Sequence, residues 1–202
     1  LPFDIYSVNV HTGAKRLIGR SYRTAPKWSV NGKWAVMYDP IAQVWNKFDG
    51  ATGKVVNISD AIGYPMFMES YDKPAPAPAY GIAGWTADGN NVFLYDAYDW
   101  WKIDLTGERQ PECLTKGYGR KHGKSIRKMT SNIDKDVFQK DEKVIVSLWD
   151  KDTMDEGVYQ LDMKGRLRKL MEGNYVYTIH RFSDNHEYCV WNRQNVSEFR
   201  DL

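Results

Sequence analysis

Long apolar runs are missing from this chain of 202 residues. No uninterrupted hydrophobic stretch approaches the roughly 18 residues that a membrane-crossing helix needs, so no membrane span is expected. Charge of one sign is also missing. Lys and Arg number 28 against 26 Asp and Glu, a formal net charge of +2, which is too balanced for a chain built to grip phosphate backbones. Cysteine is scarce, and Cys113 and Cys189 stand in no CxxC arrangement, so neither a zinc framework nor a disulfide scaffold is indicated. The opening residues, Leu1-Pro2-Phe3-Asp4-Ile5-Tyr6, have no start methionine, basic n-region or apolar h-region, which leads to the expectation that the chain begins inside a longer protein.

Aromatic side chains, by contrast, are plentiful: 8 Trp, 13 Tyr and 7 Phe. Such rings favour pleated, half-buried surfaces, and no long amphipathic helical period accompanies them, so the chain is expected to be all-β. An internal repeat sharpens this. Trp28-Ser29-Val30-Asn31-Gly32-Lys33-Trp34-Ala35-Val36-Met37-Tyr38-Asp39 is echoed in residue character by Trp85-Thr86-Ala87-Asp88-Gly89-Asn90-Asn91-Val92-Phe93-Leu94-Tyr95-Asp96. Weaker copies run from Phe138 to Asp150 and from Phe182 to Trp191. Each copy is an aromatic residue, a turn pair such as Asn-Gly or Asp-Gly, and a β-branched and aromatic run, which is the pattern of a hairpin. A second repeated hairpin follows at Asp49-Gly50-Ala51-Thr52-Gly53, Asp104-Leu105-Thr106-Gly107 and Asp162-Met163-Lys164-Gly165.

Four strands in a repeat of roughly 45 to 55 residues form a propeller blade, whose faces are covered only by stacking on neighbouring blades. The expected architecture is therefore a single antiparallel β-propeller segment over 1–202, partial or equivalent to four blades. It comprises a half blade at about 3–19, blades at about 26–60, 83–116 and 130–172, and a half blade at about 176–202. Strands around Ile5–Ile18 and Val176–Trp191 are expected to complete one composite blade, because closure removes unpaired edges. The alternating prolines of Tyr71–Tyr80 predict an extended surface connection. The Gly-, Lys- and Arg-rich segment Lys116–Lys128 predicts a second loop.

The chemistry-bearing patterns are weak. Gly117–Ser125 resembles a phosphate-cradling loop, but the spacing requires glycine where Tyr118 stands. No G-x-S-x-G elbow occurs; Gly19-Arg20-Ser21 and Gly123-Lys124-Ser125 supply only its first half. His11, His122, His180 and His186 form no H-E-x-x-H pair. Asp39, Asp96 and Asp150 recur at the end of a strand. Converging carboxylates could serve sugar cleavage, whereas the favoured reading has each capping a turn through backbone amides. Tyr95-Asp96-Ala97-Tyr98-Asp99-Trp100-Trp101 offers an aromatic platform for a sugar or peptide, against a favoured role in packing. The basic segment Lys116–Lys128 offers contact with an anionic surface, against a favoured solvated loop. No catalytic, metal-binding or cofactor-binding residue is assigned, and no cofactor is expected.

The blade openings at Trp28–Trp34 and Trp85–Gly89 are similar to the W-S-P-D-G-K pattern of the N-terminal propeller of prolyl oligopeptidase family serine peptidases. With them go hairpins ending in Asp-Leu-Thr-Gly. Periplasmic TolB-type propellers share that opening, but Tyr71–Trp101 looks more like the large bacterial peptidases, including the dipeptidyl-peptidase and acylaminoacyl-peptidase branches. The resemblance implies a non-catalytic segment that admits short peptides to a C-terminal α/β-hydrolase domain carrying the Ser-Asp-His triad. It also implies a periplasmic or secreted setting. Its partners are then the peptide substrate and that hydrolase domain, with no nucleic acid. No triad residue carries over, and no Glu-Glu pair is present to hold a substrate amino terminus. Alternative expectations are a TolB-like module that binds protein or glycan, and a glycoside-processing propeller.

Overall fold

The computed structural model describes residues 1–129, 136–183 and 187–197. The chain is all-β with antiparallel pairing, and it divides into two compact units: Leu1–Ala97 with Lys102–Glu112, and Tyr98–Trp101 with Cys113–Leu202.

The first unit opens with a hairpin of β1 (Phe3–Val8) and β2 (Lys15–Tyr22). Asn9 closes it, its side-chain oxygen accepting the backbone N–H groups of His11 and Thr12 at 2.9 and 3.0 Å. A four-stranded sheet follows, in the order β3 (Lys27–Trp28), β4 (Trp34–Asp39), β5 (Val44–Asp49) and β6 (Val55–Asn57). Successive strand residues point to opposite faces, yet Trp34 through Tyr38 are all buried, so both faces of β4 are covered. On one face Ala35, Met37 and Phe48 pack with Ile5, Ile18 and Tyr22 from the first hairpin. The opposite face carries Val36, Tyr38 and Trp45. After a 3-10 turn at Asp60–Ile62 come β7 (Ile82–Thr86), β8 (Asn91–Tyr95) and β9 (Trp100–Asp104), adjacent in that order.

Two repeated turns meet in this unit. The Asn31 amide donates to the carbonyl of Asp88 at 2.9 Å. Gly89 holds φ +69 in the left-handed region, and a Cβ there would stand 2.7 Å from the Asn31 nitrogen, so conformation and space both select glycine. Longer cations tie other turns: Arg16 reaches the carbonyl of Thr52, and the Lys47 ammonium reaches that of Leu105.

After β10 (Glu112–Cys113), which is divided between the units, the second unit contains a short helix α1 (Tyr118–Lys121), β11 (Lys124–Lys128), β12 (Val137–Phe138), β13 (Lys143–Asp150), β14 (Glu156–Asp162), β15 (Leu167–Gly173), β16 (Val176–Phe182) and β17 (Cys189–Gln194). Its four-stranded sheet runs β11-β13-β14-β15. Val144, Val146 and Leu148 alternate along β13 and are buried, as alternation requires of a strand with one covered face.

Two expectations are corrected here. Lys116–Lys128 is not a loop, because it holds α1 and the full strand β11. Ile126 is wholly buried, and its backbone carbonyl accepts the Trp100 indole N–H at 3.1 Å. One deeply buried residue and a ladder to β13 outweigh the polar composition of that segment. The inner partner of β13 is accordingly β11, and not the strand at Phe138 that the third repeat copy suggested. The two hairpins expected to share a composite blade, β1–β2 and β16–β17, are each a two-stranded sheet and belong to different units. The turn of the fourth copy, at 184–186, and the last five residues lie outside the described residues.

Candidate ligand pocket

Tyr38 and Trp45 are cross-strand partners on β4 and β5, with ring centroids 5.5 Å apart. Their pairing follows from the strand register, which sets the two rings side by side on one face. The Tyr38 hydroxyl donates to the carbonyl of Ala77 at 3.1 Å and so pins the Pro-Ala segment beside the sheet. A second anchor is the bridge between Phe67 and Ala79, with Met68 N–H bonded to the Pro78 carbonyl. The expectation of a surface connection is therefore refined. The segment is half-buried around Ala75–Ala77 and forms a wall of a cavity.

That cavity measures about 270 Å³ and lies wholly within the first unit. Val36, Pro40, Pro76, Pro78 and Ile82 make it apolar, the Tyr38–Trp45 pair makes it aromatic, and Arg23 and Lys27 supply its only charges among the described residues. Burial, reinforced by the nearby Asp39 carboxylate, pushes the Tyr38 hydroxyl up to about 12, which keeps it a neutral donor. Neither Arg23 nor Lys27 forms an ion pair among the described residues. The Trp45 indole N–H is buried and has no acceptor among them. Sequence patterns missed this site because its parts come from three separated stretches. The one available signal was the Pro-Ala segment, which read as a connector.

The structure resolves the sequence-derived candidates differently. Asp39 caps the turn after β4, accepting the N–H groups of Ile41 and Ala42 at 2.9 Å each. Asp150 does the same with Asp152 and Thr153, and these amides hold its carboxyl below the usual range. Both belong to turns, as the favoured reading had it. Asp96 differs: it is fully buried just past β8. From the aromatic run, Tyr95 and Trp100 are buried packing residues, and Trp100 lies 6.1 Å from Phe138. Tyr98 carries the Lys151 ammonium over its ring at 4.0 Å and the Arg120 guanidinium at 5.0 Å. Asp99, 1% exposed, accepts the Gly119 and Arg120 N–H groups and the Thr115 hydroxyl at 2.9, 3.0 and 2.6 Å.

The basic segment is partly neutralised within its own unit, because Lys124 pairs with Glu172 and Lys128 with Asp136. Cys113 and Cys189 are free thiols, and burial pushes Cys189 up. Among the described residues no group of three or more His, Cys, Asp or Glu is placed to hold a metal, and no helix is long and apolar enough to cross a membrane. Comparison with known protein-family models and with curated proteins finds no significant match.

Proposed function

We propose that this chain is a β-propeller segment of a larger prolyl-oligopeptidase-like serine peptidase, non-catalytic itself, which controls peptide access to an α/β-hydrolase domain elsewhere in the parent. The observation that carries this reading is the repetition of one local plan. Asn9, Asp49, Asp104 and Asp162 each close a hairpin by accepting backbone N–H groups two and more residues on. Equivalent turns of successive repeats touch through Asn31 and Asp88, as radially stacked blades require. The flanking hairpins add support. Tyr6 and Val8 on the first, and Val176, Tyr188 and Val190 by the last, are exposed apolar side chains of the kind that further sheets cover.

Sequencing the coding region around this stretch tests the proposal. A reading frame that runs on into a G-x-S-x-G elbow supports it, and a frame without any hydrolase region overturns it. Assay of the isolated chain on chromogenic proline and alanine amides gives a second check. No release is expected, and turnover that survives stringent purification contradicts a non-catalytic role.

A further inference from the structure

The cavity beside Tyr38 and Trp45 has two features that together select a ligand class. Its walls are apolar, aromatic and proline-faced, and its 270 Å³ sits just below the usual span for small-molecule sites, so it suits one or two side chains. Among the described residues its charges are cationic only: Arg23 and Lys27 are exposed and lack carboxylate partners, and no acidic residue lines the space.

We propose that this cavity is a binding site for an apolar or aromatic group bearing a free carboxylate. The apolar part fills the space between the Tyr38–Trp45 pair and Pro76 and Pro78. The carboxylate meets Arg23 and Lys27, where a guanidinium offers paired N–H donors. The same chemistry has two sources, the C-terminal residue of a peptide or a free aryl or alkyl acid. The inference stands on the cavity alone and does not depend on the parent being a peptidase.

Isothermal titration of the intact chain with N-acetyl-Ala-Pro-Phe as free acid, the same peptide as C-terminal amide, and 3-phenylpropionate tests it. Saturable binding of the free-acid peptide is expected, at least tenfold weaker for the amide. Comparable binding of 3-phenylpropionate assigns the site to free acids, and binding of the peptide alone assigns it to peptide C-termini. An Arg23→Gln/Lys27→Gln double variant alters two exposed side chains and leaves the core intact, and it should lose at least tenfold in affinity. The proposal is overturned if neither acid saturates at millimolar concentration, if acid and amide bind equally, or if the double variant binds like the parent chain.

Discussion

The side-chain amide of Asn31 donates to the backbone carbonyl of Asp88, the residue that holds the same place one repeat later, at 2.9 Å. Asn31 is fixed for this by its own turn, its oxygen accepting the Ser29 hydroxyl and the Lys33 N–H. A residue chosen for turn formation thus also couples two sheets.

Replacing Asn31→Ala should lower stability by about 1 kcal/mol, the worth of a net hydrogen bond. The glycines of the two turns make a sharper comparison. Gly32 and Gly89 share the left-handed conformation, at φ +68 and +69, but a Cβ on Gly32 would meet open space, whereas one on Gly89 would meet the Asn31 backbone of the other turn. Gly32→Ala should cost about 1 kcal/mol for conformation alone, and Gly89→Ala clearly more. Urea denaturation midpoints of the two variants check this; equal losses would show that the turn-to-turn contact is not close.

Asp99 should be a stability hot spot. Its buried carboxylate satisfies two backbone N–H groups at α1, and Asp99→Ala leaves them and the Thr115 hydroxyl without that acceptor. A loss of about 3 kcal/mol is expected, from the cost of orphaned buried donors. Chemical denaturation measures it, and a loss below 1 kcal/mol would mean that water replaces the carboxylate.

Acid should weaken the second unit through Glu172. Hydrogen bonds from Lys124 and Lys169 hold this carboxyl at about 2, well below its ordinary value of about 4.5. Its contribution is therefore complete above pH 4.5 and is lost as pH falls towards 2. Glu156 has the opposite sign. Burial raises it, against the Tyr177 N–H that it accepts, so its contribution is present at low pH and lost as pH rises past the ordinary carboxyl range. In urea titrations between pH 2.5 and 8, Glu172→Gln should flatten the acid limb, and Glu156→Gln should remove the decline on the other side.

Tyr38→Phe removes the hydroxyl that pins Ala77 and keeps the ring on Trp45. About 1 kcal/mol of local stability should go. Faster amide exchange or proteolysis within 71–80 is the expected signature, with the rest of the unit unchanged.

The sequence alone determined the all-β class and the residues of the repeated turns. Asp39, Asp49, Asp104 and Asp162 act within a few residues of themselves, so local chemistry is sufficient to read them. Tertiary structure decided the rest. Lys124–Lys128 looks polar in isolation and becomes a strand only because Ile126 is buried and β13 supplies a ladder. The pocket was illegible for the same reason. Arg23, Tyr38, Trp45 and Pro76 are far apart along the chain, and only sheet register and the anchored Pro-Ala segment bring them to one cavity. Short-range hydrogen bonding is written in neighbouring residues, whereas burial and convergence belong to surfaces that exist only once the sheets have packed.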